Sequence, residues 1–418
     1  MRFHVVGVGP IGSLVAFHMR RTLSPKHDVS LLLRTLALAK QNREPGWPIR
    51  IEYDGVISSA SGFQIETMEQ YEDQVYRMVF NESGKLRLPS SRRPSPTQDQ
   101  VEMERKSVQH EDIKSLFVAC KAYSTSNVLR RLQPRLNRNS TIVLLQNGGL
   151  GVYEEIIDRV FRNPEERPSF VLVSNNHGAW LKSPYHIVHA GVGTLHFGIV
   201  PDGRRDFERA LQDDSAPAHA RVLNLDDITN GEDDPLYERY QSLRNTVAVL
   251  KGLSDLQPTW HPISTLQLHM RRKLVVNSVV NPLTAIMGCR NGDLFANINA
   301  IRLADRICGE ASQIFAAEAK AQARATAENG LMPGGVYIPP ALRKKPLMEE
   351  WQRVARLTAT NISSMLSDVR KGKKDTEIDY FNGYLMRLAG RYGVFAPVNA
   401  SLVDLVKLRT SIPLDSPV

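Results

Sequence analysis

Residues 2–21 read RFHVVGVGPIGSLVAFHMRR, and this stretch decides the first half of the fold. β-Branched and apolar residues run from Arg2 to Val8 and meet a glycine, the pattern of a short buried strand. Gly7, Gly9 and Gly12 then fall in GxGxxG spacing, and IGSLVAFHMRR continues with helical periodicity. In a strand–turn–helix unit the three glycines allow a tight turn, close approach of the backbone to a pyrophosphate, and close helix–strand contact. The helix N-terminus adds free N–H groups and the positive end of a dipole. Gly7, Val8, Gly9, Pro10, Ile11 and Gly12 are therefore candidate cofactor-binding residues. The structural alternative is a glycine-rich turn in an α/β domain that holds no nucleotide.

The next strand, 28–34, is DVSLLLR and ends at Arg34, twenty-two residues beyond Gly12. Sites for NAD place an acidic side chain near that position to bond the ribose 2′-hydroxyl. A guanidinium suits a 2′-phosphate instead, which predicts NADPH/NADP, against the alternative of a solvated arginine at a strand end. Two further strands are expected: SLFVACKAYST, ending at Lys121, and TIVLLQNGG, ending at Gln146, Asn147, Gly148 and Gly149. Ligands of open α/β sheets bind beyond the carboxyl ends of strands, so Lys121 and Asn147 are cofactor-side candidates. A surface lysine and an Asn-Gly turn are the plainer readings.

The polar, proline- and serine-rich stretch at 84–112 and the acidic stretch at 201–235 lack periodicity and predict surface insertions. Between them, FVLVSNNHGAWLKSPYHIVHAGVGTLHFG predicts antiparallel edge strands or hairpins. It carries His177, His186, His189 and His196, whose spacing fits no helix pair and which no cysteine joins, so structural roles are favoured over a metal. From about residue 236 the pattern turns helical. A connector with Pro258, Trp260 and Pro262 sets the expected boundary, giving domains at 1–260 and 261–418. LQLHMRRKLVVNSVVNPLTAIMG then reads as one long helix in which Lys273, Asn277 and Asn281 share a face, with Pro282 just beyond them. A polar stripe in an apolar helix is costly to bury without partners, which favours a cleft; a solvent-facing stripe beside Arg271 and Arg272 is the alternative. In the last helical block Asn361, Ser364 and Asp368 are expected on one face, and a new helix opens at Thr376 or Glu377.

Composition sets the outer limits. The 418 residues include 53 basic and 44 acidic side chains, a formal charge of +9, with 42% hydrophobic residues and 23% charged. That excludes bulk disorder, collagen-like chains and coiled coils. No apolar run reaches the ~20 residues of a membrane span. The basic residues are dispersed without interleaved aromatics, which disfavours a primary nucleic-acid role. Three scattered cysteines, Cys120, Cys289 and Cys308, indicate a reducing compartment. A strand beginning at residue 2 leaves no room for a cleavable leader, so a cytoplasmic protein is expected, with a mitochondrial one left open.

Together these motifs resemble the ketopantoate reductases (2-dehydropantoate 2-reductases) in a longer, fungal-type form. The resemblance rests on GVGPIG with Arg34, CKAY, QNGG, NHGA with HAGVGTLHFG, KLVVNSVVNPLTA, and NISSMLSDVRKGKKDTEIDYFNG. It implies an N-terminal Rossmann domain and an all-α C-terminal domain like that of 6-phosphogluconate dehydrogenase. It also implies NADPH-dependent reduction of the small 2-keto acid 2-dehydropantoate to pantoate, in pantothenate and coenzyme A biosynthesis. By that resemblance Lys273 and Glu377 are catalytic, Asn277, Asn281, Asn361 and Ser364 bind substrate, and Lys121 and Asn147 lie on the cofactor side. The sequence departs from the bacterial pattern by one extra residue around Lys373–Asp375. No metal is implied, and the apolar faces of the C-terminal helices permit a homodimer.

The chemistry of the residues agrees. Ketone reduction needs a hydride and a proton for the developing alkoxide; a lysine ammonium in a partly desolvated site can stabilise that charge and supply the proton. Reduction of another 2-keto acid, and a non-catalytic RNA-associated or regulatory descendant of the fold, are the alternatives.

Overall fold

The computed structural model describes residues 1–35, 46–68, 111–215, 217–328 and 337–412. The chain divides into two compact units, Met1–Gly149 with Tyr153–Leu266, and Gln267–Val418 with Leu150–Val152.

The first unit is built on β1 (Arg2–Val6), α1 (Pro10–Thr22), β2 (Asp28–Leu33), β3 (Ile49–Tyr53), β4 (Val56–Ala60), β5 (Gln64–Thr67), β6 (Ser115–Val118), α2 (Ala122–Leu132), β7 (Thr141–Leu144), α3 (Gly149–Arg159), β8 (Ser169–Asn175), β9 (Gly178–Ser183), β10 (His186–Gly191), β11 (Leu195–Ile199), α4 (Tyr237–Gly252) and β12 (Pro258–Trp260). Its main sheet has the order β12-β11-β8-β7-β6-β1-β2-β5. From β5 through β8 every pairing is parallel; β11 pairs antiparallel with β8, and β12 runs parallel to β11. Strands β6 and β7 are buried along their whole length, as parallel strands covered on both faces must be. The order reverses between β1 and β6, which places the topological switch point beside the glycine turn.

The region 169–199 supplies the expected antiparallel strands: β9 and β10 pair as a hairpin with β9 at a sheet edge, and β11 runs antiparallel to β8. β8 joins the main sheet, whereas β9 and β10 leave it and pair with β3 and β4 in a second sheet of order β4-β3-β10-β9. Ile51 of β3 lies opposite Ile187 of β10 in parallel register, and both are buried. This sheet packs on α1, whose residues Gly12–Met19 are all buried. A helix buried all round needs cover on both sides, and the second sheet supplies the side the main sheet leaves bare.

One smaller expectation changes. The strand toward Lys121 stops at Val118, and Lys121 becomes the residue that precedes α2. The described residues of the expected insertion at 201–235 include three short 3-10 turns, and Arg205 paired with Asp234 (both N–O distances 2.7 Å) and the Tyr240 hydroxyl donating to Asp202 at 2.7 Å fasten it. Of the other expected insertion, residues 84–110 lie outside the described residues.

The second unit is helical: α5 (Ile263–Met287), α6 (Ile298–Glu328), α7 (Lys344–Leu357), α8 (Ser364–Arg370), α9 (Asn382–Tyr392) and α10 (Pro397–Ser411). Val275 and Val279 of α5 pack with Ile307, Ile314, Trp351, Phe381, Leu385 and Val406, all fully buried. The expected last helical block is broken. α7 ends at Leu357, and Ser363 caps α8 by accepting from Leu366 N at 3.0 Å. Asn361 therefore sits in the connector, and it shares no helical face with Ser364 and Asp368.

Candidate active site

Each glycine of the turn meets different surroundings. Gly7 has φ +90°, and a side chain there would collide with the backbone of Cys120; at Gly12 it would collide with Gly7 O. Nothing lies within 4 Å of where a Cβ on Gly9 would stand. Gly7 and Gly12 are thus fixed by packing of β1, α1 and the end of β6. Gly9 alone faces free space, as close approach of a pyrophosphate requires. α1 opens with Pro10, without a side-chain cap and without an acidic residue in its first turn. Its first amides, which no helix can satisfy internally, stay available to an anion. Val8 and Ile11 lean on the core and hold the turn in place.

The other cofactor-side candidates gather at the same carboxyl edge. Ala119 N donates to Val6 O at 2.8 Å, drawing the end of β6 against the turn, and Lys121 follows two residues later. Gln146 Nε2 donates to Thr125 Oγ1 at 3.2 Å, tying the end of β7 to the first turn of α2. Asn147 comes next, partly buried, ahead of Gly148 (φ +70°), which opens α3. Arg34 is exposed immediately after β2, the neighbour of β1, and Leu33 and Thr35 beside it supply no carboxylate. The residues present therefore fit a dinucleotide.

In the second unit α5 carries Lys273, Asn277 and Asn281. Asn281 is buried and Asn277 partly so. Lys273 keeps a fraction of its surface accessible, yet burial of its ammonium pushes its pKa from 10.5 down to about 8, against the opposing pull of the Glu377 carboxylate. Glu377 opens the 3-10 turn Glu377–Tyr380 and is itself buried. Two contacts hold neighbouring elements to this helix. Thr284 Oγ1 lies 2.7 Å from Ser363 Oγ, so the start of α8, with Ser364 at its surface, sits one turn from Asn281. Asn382 Nδ2 donates to Ser278 O at 3.0 Å, fastening the chain just after Glu377 beside Asn277. The structure thus assembles Lys273, Asn277, Asn281, Glu377 and Ser364 around α5. Asn361 is exposed, and its carbonyl accepts from Asn291 N at 3.0 Å. Asp368 is buried and paired with Lys373 at 2.7 Å, so the chain at Lys373 folds back onto α8.

Sequence reasoning missed Thr284, Ser363 and Asn382. A serine ahead of an apolar run was a usable capping signal at Ser363. The two arginines flanking Lys273 are not free surface groups: Arg271 pairs with Glu318 at 3.1 Å and Arg272 with Glu350 at 2.8 Å. The buried His177 and His189 bond to each other at 3.1 Å, and His177 Nε2 donates to Leu256 O at 2.9 Å. Among the described residues no cluster of His, Cys, Asp or Glu could hold a metal ion.

A doubly wound sheet with an open glycine turn at its switch point, followed by a helical unit bearing a lysine among amides, defines a Rossmann-type α/β protein with an all-α second domain. The profile described as ketopantoate reductase PanE/ApbA matches residues 3–202, and that of its C-terminal domain matches residues 265–410. The chain belongs to the ketopantoate reductase family, a family of oxidoreductases. It is 24% identical over 410 residues to the probable 2-dehydropantoate 2-reductase of Schizosaccharomyces pombe, covering 98% of this chain and 96% of that one. With the 2-dehydropantoate 2-reductase of Salmonella typhi it shares 30% identity over 296 residues, 71% of this chain and 74% of the relative. In fold it is similar to a D-mandelate dehydrogenase solved with NADH and anilino(oxo)acetate, with a TM-score of 0.62 at 15% identity over 98% of this chain and 99% of that one.

Proposed function

We propose that this chain is an NADPH-dependent 2-dehydropantoate 2-reductase, reducing the ketone of 2-dehydropantoate to the hydroxyl of pantoate. The observation that carries the reading is Lys273: a buried ammonium with its pKa near 8, on one helical face with Asn277 and Asn281 and under the field of Glu377. The nicotinamide, when bound, supplies the hydride that ketone reduction requires. Lys273 Nζ stabilises the charge developing on the ketone oxygen and gives it a proton, becoming a neutral amine. Glu377 favours return of the charged form by raising the pKa that burial lowers. Asn277, Asn281 and Ser364 offer amide and hydroxyl groups to the carboxylate and hydroxyl of the substrate; Asn361 supports the connector through its carbonyl and is the weakest member of this set.

The first unit is the cofactor domain in this reading, and the second is the catalytic one. The residues Gly7–Gly12, Lys121 and Asn147 hold the dinucleotide, with Gly9 the point of closest approach. Arg34 supports NADPH over NADH, because a guanidinium pairs with a 2′-phosphate, and its described neighbours Leu33 and Thr35 offer no carboxylate to a 2′-hydroxyl. Among the described residues no helix is long and apolar enough to cross a membrane, and the dispersed thiols support action in the cytoplasm. The test is oxidation of NADPH against a panel of 2-keto acids. 2-Dehydropantoate is expected to give the highest kcat/KM; a different keto acid far ahead of it would reassign the substrate, and no turnover with any would remove the catalytic reading.

A further inference from the structure

Pro282 stands inside α5, one residue past Asn281. Proline has no N–H, so the carbonyl four residues earlier, Ser278 O, loses its helical donor exactly between the turns that carry Asn277 and Asn281. That carbonyl belongs to a fully buried residue, where an unmet acceptor is costly. The missing donor comes from another element: Asn382 Nδ2 reaches Ser278 O at 3.0 Å.

Asn382 is fully buried, and its own orientation is fixed. Its second N–H goes to Asn399 Oδ1 at 3.0 Å, so turning the amide over would set an oxygen against two oxygens. Asn399 Nδ2 in turn donates to Glu310 Oε2 at 2.7 Å. The Glu310 carboxylate also accepts from Val398 N at 2.9 Å and Asn399 N at 3.0 Å, the first amides of α10. A carboxylate at a helix N-terminus is a well-anchored end point. The relay therefore runs from α6 through α10 and the start of α9 to the one carbonyl of α5 that proline has released. It fastens the helix at the place where it is free to bend.

We propose that Asn382 is a positioning residue of this enzyme: its carboxamide replaces the hydrogen bond that Pro282 removes from α5, and so fixes the angle between the Lys273–Asn277 half of the active face and Asn281. This rests on the catalytic reading above. The same residue lies five positions after Glu377, so the clamp also sets how closely that carboxylate approaches Lys273.

Two variants separate positioning from mere satisfaction of a carbonyl. Asn382→Ala leaves Ser278 O without a donor. Adding Pro282→Ala returns an N–H at residue 282, which restores that bond within the helix but not the clamp. We expect Asn382→Ala to unfold at lower urea concentration and the double variant to recover. Turnover with 2-dehydropantoate should fall about 10²-fold in kcat/KM, the cost of roughly 1 Å of misplacement, and stay about tenfold or more down in the double variant. In both, the titration of Lys273, followed at the peptide level by the pH dependence of its acylation with an amine-reactive reagent, should move away from that of the unaltered protein. Recovery of turnover and titration together with stability in the double variant overturns the proposal. So does a folded Asn382→Ala protein with unchanged turnover and titration. If the unaltered protein turns over no 2-keto acid, the catalytic reading fails, and the Lys273 titration alone still decides the positioning role.

Discussion

Replacing Lys273 by methionine is expected to stabilise the protein while silencing it. Methionine keeps an unbranched stem of similar length among the buried side chains of α5 and removes the charge. In the folded chain burial pushes the lysine pKa from 10.5 to about 8, and that value already includes the favourable pull of Glu377. At about 1.4 kcal/mol for each tenfold change in proton affinity, keeping the ammonium charged in the fold costs about 3 kcal/mol. That cost already counts the pull of the buried Glu377, so a net gain of up to about 3 kcal/mol is expected at neutral pH. The pH dependence identifies the cause. A lysine whose folded pKa is depressed burdens the fold fully below that pKa, and the burden fades as pH rises from about 8 through 10.5, above which the side chain is neutral folded and unfolded alike. Urea unfolding of both proteins near neutral pH and again near pH 10.5, with amide exchange in α5 assigning the change to the second unit, measures the difference. The gain should shrink toward zero at the upper pH. A variant that is less stable than its parent, or a gap indifferent to pH, would refute the claim that a strained charge sits at this position. Turnover with 2-dehydropantoate should fall by ~10²–10⁴, the usual worth of a positioned acid.

The remaining predictions concern the same two sites. In steady-state kinetics, kcat/KM should decline as pH rises through about 8, because the ammonium form of the free enzyme is lost there; a profile flat across that range would remove Lys273 from the proton transfer. Gly9→Val should leave the first unit folded, since the space beside Gly9 is open, yet weaken NADPH binding sharply in a fluorescence titration. Unchanged affinity would show that the turn serves packing alone. Arg34→Asp should abolish or reverse a preference for NADPH over NADH by roughly 1–3 kcal/mol, read from the two dissociation constants; equal affinities in the unaltered protein would defeat the idea. Ser363→Ala should cost about 1 kcal/mol of stability through the lost cap of α8, with a chemical-denaturation midpoint as the readout.

The parts of this structure that were legible in the sequence are those governed by local sterics. The glycines at 7, 9 and 12 declare a turn because no other residue fits Gly7 or Gly12, and those clashes involve only the two strands and the helix next to them. Lys273, Asn277 and Asn281 declare a face because an α-helix brings i and i+4 together whatever surrounds it. The second sheet was not legible. β3 and β4 meet β10 and β9 more than a hundred residues later, and a short strand carries no mark of a partner so distant. Asn361 was misplaced because periodic polarity runs on through TATNISS after the helix itself has stopped at Leu357. The choice between Ser363 and Ser364 depended on which hydroxyl met Thr284, a contact across 79 residues.

These failures and successes converge on α5. Within twelve residues it holds a lysine, two asparagines and a proline, each unfavourable in a buried helix interior and each a departure from the pattern that α6 follows through most of its length. Such departures persist only where the surroundings compensate them, and they gather where geometry serves function. The compensations are visible one by one. Glu377 opposes the desolvation of Lys273, Asn382 replaces the donor lost at Pro282, and Thr284 bonds Val280 O at 2.7 Å while meeting Ser363 at the same distance. Glu377, Asn382 and Ser363 all come from far along the chain, so the helix could not hold this composition alone. It is stable as part of the second unit and reactive for the same reason: the groups that make its polar residues tolerable also fix where they stand.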